Sequence, residues 1–198
     1  MFIKTICLLS LALAVPTADK YADYPARPAA SYAITAASSG LTIGLEPVED
    51  LKDQKTYFDT ELTPKGFIPV FLVMENKSKD DSFIFDKSAV TYGPAGSGAA
   101  TPNLHSKIRD NTALGGLAAL SMPTAFIAVA KITHASQIQA NIVKKELQST
   151  TLSPAASAHG FLYIPVPRSG LREKIHLRIS ATRMDPQGPE LLALDLTF

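Results

Sequence analysis

Gly66-Phe67-Ile68-Pro69-Val70-Phe71-Leu72-Val73-Met74-Glu75-Asn76 is the stretch that decides the fold. Val70 to Met74 is an unbroken apolar run, preceded by Lys65 and Gly66 and followed by the polar Glu75-Asn76-Lys77-Ser78. A run this short, bounded by turn residues, reads as a strand covered on both faces or as a core strand of a sandwich. Pro69 cannot donate to a ladder, so it belongs at a bulge or where the strand begins to pair.

Working outward, β patterns lie on both sides. Ser31 to Ala37 and the alternating Leu41-Thr42-Ile43-Gly44-Leu45 read as strands turning at Gly40. Ser82-Phe83-Ile84-Phe85 and Ala89-Val90-Thr91-Tyr92 read as the next strand or strand pair. Far along the chain, Gly160 to Val166 is another strand, closed by Pro167-Arg168-Ser169-Gly170. Lys174 to Ser180 alternates so that Ile175, Leu177 and Ile179 face a core while Lys174, His176 and Arg178 face water. Leu192, Leu194, Leu196 and Phe198 alternate in a last strand, joined to the previous one through Asp185-Pro186-Gln187-Gly188 as a hairpin.

Two segments break the β pattern. Val48, Leu51, Lys55, Phe58 and Leu62 are spaced as one face of a short helix, with Lys55 the imperfect member. Glu49, Asp50 and Asp53 near its start suit the helix dipole. With Glu46 they could instead gather a cation, although a solvated helix start accounts for them. The second segment, about 103–152, is rich in alanine and reads as a helical insertion that Pro154 ends. Its amphipathic part, Lys131 to Leu147, places Ala135, Ile138 and Ile142 on one face and ends in Lys144, Lys145 and Glu146.

Residues 113–130 are nearly free of charge and could meet a membrane. Much of this stretch is Ala and Gly, and Pro123 interrupts it. A single crossing would also divide the strands before it from those after it. A hairpin turning at Pro123 has arms of about nine residues, too short to cross as helices. The expected role is packing on the sandwich, with Leu114, Leu117, Leu120, Met122, Phe126 and Ile127 as the candidate contact for a protein partner or a membrane surface.

Met1-Phe2-Ile3-Lys4, followed by an apolar stretch to Val15, has the pattern of a secretory signal peptide. Ala12-Leu13-Ala14 fits a cleavage site, and a cut after Ala18 is the alternative adopted for the domain boundaries. The expected organisation is a signal peptide at 1–18, an extended leader at 19–30 and one domain at 31–198. The protein is then expected to be exported, to the periplasm or the cell envelope. Cys7, the only cysteine, would leave with the signal, and thiol catalysis, disulfides and cysteine-bound metal leave with it. Loss of Lys4 equalises the 18 acidic side chains and the basic ones, so no bulk field favours nucleic acid.

Motifs of chemistry are sparse. There is no Gly-x-Ser-x-Gly and no His-Glu-x-x-His. Gly93 to Pro102 is Gly-rich but has no Gly-Lys-Ser/Thr. His105, His134, His159 and His176 have no ligand spacing. His105 and His134 could meet near Asp110 if the insertion folds back. Tyr21, Tyr24 and Tyr32 could form a binding patch or dock onto their own domain. Asn76-Lys77-Ser78 is a glycosylation sequon of a common kind. No catalytic, metal-ligating or cofactor-binding residues are assigned, and no cofactor is expected.

Three pieces carry a resemblance. Gln54-Lys55-Thr56-Tyr57-Phe58 leads to Gly66-Phe67-Ile68-Pro69-Val70 and Glu75-Asn76-Lys77-Ser78; Asn141 to Leu147 follows the insertion; and Gly160-Phe161-Leu162-Tyr163-Ile164-Pro165 comes next. Over about residues 40 to 198 the chain resembles a group of bacterial exported proteins and lipoproteins. The resemblance implies an immunoglobulin-like antiparallel β-sandwich, mainly β, interrupted by an Ala/Gly-rich helical insertion. The lipobox cysteine of the lipoprotein members has no counterpart here, since Ile6 precedes Cys7. The functional expectation is a non-enzymatic exported module for binding or structural support. The alternatives are a membrane-associated protein using 113–130, and an enzyme with a site assembled from dispersed residues.

Overall fold

The computed structural model describes residues 21–94, 99–100, 125–166 and 174–198. The chain is mainly β, with two antiparallel sheets and a helical insertion, as expected. The first sheet has the order β1-β2-β3-β8: Ile34–Ser38, Leu41–Pro47, Phe67–Asn76 and Ser157–Pro165. In the second, β9 (Ile175–Asp185) pairs along one edge with β10 (Gly188–Thr197). Its other edge takes β4 (Ser82–Phe85) opposite 181–184 and β5 (Thr91–Pro94) opposite 175–178, end to end. β7 (Thr150–Leu152) pairs with β4 and β6 (Ala99–Ala100) with β5. Three sequential neighbours, β1 to β3, make a meander, and this strand order alone does not establish immunoglobulin topology.

The sequence of β3 is apolar throughout because both of its faces are buried. Ile68, Val70, Leu72 and Met74 point into the sandwich, against Phe83, Phe85, Ile175, Leu177, Ile179, Leu192, Leu194 and Leu196. Phe67, Phe71 and Val73 point outward into a second cluster with Phe58, Leu62, Ile138, Ile142, Phe161 and Tyr163. The alternation of β9 and β10 holds: Ile175, Leu177 and Ile179 are buried while Lys174, His176 and Arg178 are exposed.

Hydrogen-bond parity along β3 explains how Pro69 is tolerated. The bonds from Lys77 N to the Gly40 carbonyl and from Val166 N to the Gly66 carbonyl mark the two edges. Odd-numbered residues face β2, and even-numbered residues face β8. Pro69 therefore faces Val48, just past the last β2 pair, Pro47 with Val70. Its carbonyl accepts from Val48 N at 2.9 Å, but it has no N–H to return. Gln54 fills that place: its Nε2 donates to the Val48 carbonyl at 2.7 Å and to Thr63 Oγ1 at 2.7 Å. Its Oε1 accepts from Leu62 N at 2.7 Å and Thr63 N at 3.0 Å. Gln54 is fully buried with all of its bonding capacity used.

This changes the expected face of the short helix. Helix α1 spans Leu51–Phe58 and buries Gln54 and Phe58, while Leu51 and Lys55 are exposed. Asp50 caps it by accepting from Lys52 N and Asp53 N. The expected helical insertion also ends earlier. Helix α2 spans Ala125–Lys145, so Lys145 and not Pro154 marks its end, and Thr150–Leu152 belong to the second sheet. A polar threonine pair hides that strand in the sequence. Ile138 and Ile142 are buried as expected.

Asn76 closes the end of β3. The two hydrogens of its Nδ2 are shared among the carbonyls of Asp81, Leu152 and Ser153, and its Oδ1 accepts from Ser78 N. It is buried, so the sequon nitrogen is engaged in joining the two sheets.

Replacing Gln54 by Leu strands the Val48 carbonyl, the buried Leu62 N–H and the partly buried Thr63 N–H, which should lower unfolding free energy by about 2–4 kcal/mol. Lys55→Ala should change it by less than about 0.5 kcal/mol. Urea denaturation of both variants checks this, and similar losses would restore the face drawn through Lys55.

Candidate functional site

The two outer faces of the sandwich differ. Opposite residues on the second sheet leave Ile84 and Leu191 exposed in one row with Thr182, and Met184 exposed nearby. The outer face of the first sheet is covered by three separate segments: the leader, α1 and α2.

The leader docks because β2 has a glycine where it crosses. A Cβ on Gly44 would lie 2.2 Å from the Ala29 carbonyl oxygen and 2.6 Å from the Tyr32 ring, so any side chain there would push the leader away. Ala29 N donates to Glu75 Oε1 at 3.0 Å, and Arg27 N donates to Tyr32 Oη at 3.0 Å. The Arg27 guanidinium lies 4.5 Å from the Tyr32 ring centroid and bonds Glu46 Oε2 at 2.8 Å. Tyr24 then lies among Tyr57, Phe71 and Phe161, with centroids 4.8, 4.7 and 5.3 Å away. Tyr24 and Tyr32 therefore dock onto their own domain.

Phe161 is the hub of this aromatic layer. It faces Phe71 across a pair without direct ladder bonds, where side chains approach closely. Its ring is 4.9 Å from Phe71 and 4.8 Å from Phe58. Its carbonyl, pointing away from β3, accepts from Leu147 N at 2.9 Å. That contact brings the chain after α2 against β8, and Gly160 permits it: a Cβ there would lie 2.7 Å from the Leu147 backbone.

Where the leader, the end of α2 and β8 converge there is a cleft of about 240 Å³. Tyr24, Phe71 and Phe161 line it together with His159, and Asp23, Lys144, Lys145 and Glu146 stand around it. Lys145 Nζ donates to the carbonyls of Ala22 and Tyr57, the latter at 2.7 Å. It thereby ties the leader to the last turn of α1, where a cation suits the helix dipole. Asn141 Nδ2 donates to the same Tyr57 carbonyl at 2.9 Å. Glu146 Oε2 lies 3.3 Å from Lys87 Nζ. Glu146 Oε2 is buried, and the ion pair with Lys87 answers its charge.

Burial, and then the neighbouring Glu46 carboxylate, push the Tyr24 phenol well above its ordinary value. Tyr163, whose hydroxyl donates to the Ile142 carbonyl at 2.8 Å, is raised by burial and secondarily by Glu146.

The other sequence candidates fare differently. Of the apolar contact set, Leu114, Leu117, Leu120 and Met122 lie outside the described residues. Phe126 and Ile127 lie in α2, with their side chains outside the description. His105 and Asp110 also lie outside it. His134 is exposed, with its Nε2 3.8 Å from Asp59 Oδ2. In the acidic group, Asp50 is a helix cap and Glu46 pairs with Arg27. Among the described residues no cluster of His, Cys, Asp and Glu suits a metal ion, and no helix is long and apolar enough to cross a membrane. The cleft was not legible as a site in the sequence. Its parts are far apart, and only the aromatic residues of the leader hinted at it.

Comparison with family models, curated proteins and solved structures finds no match.

A phenol raised in the folded state favours the fold in its neutral form. The contribution of Tyr24 and Tyr163 is full below the ordinary value of 10.0 and is lost as pH rises through their raised values. Stability measured across this alkaline range should fall, and Tyr163→Phe should fall less steeply. An unchanged slope in that variant would remove Tyr163 from the alkaline transition.

Proposed function

We propose that the chain is an exported, non-enzymatic binding module of the cell envelope, and that the cleft beside Tyr24 and Phe161 is its binding surface. The observation that carries the reading is the convergence of leader, α2 and β8 on a ring-lined cleft over a doubly buried strand. The charged groups around the cleft support binding rather than proton transfer. Lys145 holds backbone carbonyls of the leader and α1, and Glu146 faces Lys87. The rigid sheet supplies a frame on which ring positions are fixed by packing. Export itself rests on the basic and apolar pattern of the first residues.

Fractionation of cells expressing the full chain with a C-terminal tag tests the location. The expected product lacks the signal peptide at 1–18 and is found outside the cytoplasm, released by a carbonate wash. A full-length cytoplasmic product would contradict export. A pellet that resists the wash would favour the membrane-associated reading through 113–130.

A further inference from the structure

We propose that the cleft takes a single aromatic side chain borne on a neutral peptide backbone of a partner protein; the proposal rests on the binding-module reading and deepens it. The floor already shows which chemistry packs there. Tyr24, Phe71 and Phe161 meet one another in edge and tilted contacts with centroids 4.7, 4.9 and 5.3 Å apart. Phe71 and Phe161 are buried beneath, so a ring entering the cleft meets the half-buried Tyr24 and the exposed His159, where edge and tilted ring pairing is favoured. His159 adds a tilted contact on Phe71, at 5.8 Å, and forms an exposed wall.

Size sets the second limit. A cleft of about 240 Å³ lies below the roughly 300–1,000 Å³ of sites that enclose a drug-sized ligand. It suits one side chain rather than a whole cofactor. Charge sets the third. The surrounding groups are two lysines and two carboxylates, Lys144, Lys145, Asp23 and Glu146, so the rim carries no net charge. Lys145 and Glu146 are answered within the chain, by the Ala22 and Tyr57 carbonyls and by Lys87. A ligand with net charge gains nothing from such a rim, while amide groups of a peptide backbone can bond to polar groups of either sign.

The test is a backbone amide NMR titration of the purified full chain with N-acetyl-phenylalanine amide, N-acetyl-leucine amide and free phenylalanine. The expected result is saturable shifts confined to the leader around Tyr24, Phe71, the end of α2 and residues 159–161. The phenylalanine amide should bind at least about tenfold more tightly than the leucine amide, and more tightly than the free zwitterion. Tyr24→Ala should weaken it about tenfold. His159→Trp, at an exposed position that leaves the fold intact, should fill the cleft and abolish the shifts. Equal affinity for the two amides, tighter binding of the zwitterion, shifts elsewhere, no saturable shift or no effect of either variant would overturn the proposal. Because this assay uses purified protein, its failure leaves the fractionation result standing, and failure of export leaves the ring preference standing.

Discussion

Strand β3 is buried on both faces, so every backbone group along it needs a partner from a neighbouring strand or from a side chain. Along most of its length β2 and β8 supply those partners. At Pro69 the ladder fails in one direction, and the unreturned bond falls on the Val48 carbonyl. Gln54 completes it from α1. The same amide holds Leu62 and Thr63, so one side chain fixes both the helix and the chain that leads back into β3. A buried amide used to capacity is a strong positional constraint, since any shift of α1 would strand several polar groups at once.

From this point the outer layer can be followed by contact. Phe58, one turn after Gln54, packs on Phe161 at 4.8 Å. The Tyr57 carbonyl at the end of α1 receives Asn141 and Lys145 of α2. Lys145 reaches on to Ala22 of the leader, and Tyr24 enters the ring layer. The cleft lies at the end of this chain of contacts and inherits its geometry from them. Two glycines make the approach possible from either side: Gly44 admits the leader and Gly160 admits Leu147.

Much of the frame was readable from residues alone. The apolar run of β3 and the strict alternation of Ile175, Leu177 and Ile179 each report burial directly, because strand periodicity maps onto faces. Apolar spacing draws the helix face through Lys55 because it ignores polar groups that are buried to complete a ladder. Gln54 is buried on account of Pro69, fifteen residues later, and no local pattern contains that relation. β7 has no pattern of its own, since Thr150 and Thr151 carry no apolar signal and their strand exists only through Phe85 and Ile84. The cleft was hidden for a similar reason, since Tyr24, Phe71 and Phe161 meet only after the leader has folded back over Gly44.

The central claim is that Gln54 substitutes for the N–H that Pro69 lacks, and a double-mutant cycle measures it directly. Pro69→Ala restores an N–H facing the Val48 carbonyl. Gln54→Leu should then cost about 1 kcal/mol less in the Pro69→Ala background than in the natural one, as read from urea unfolding. Costs equal to within about 0.3 kcal/mol in the two backgrounds would mean that the two residues act independently, and would contradict the account.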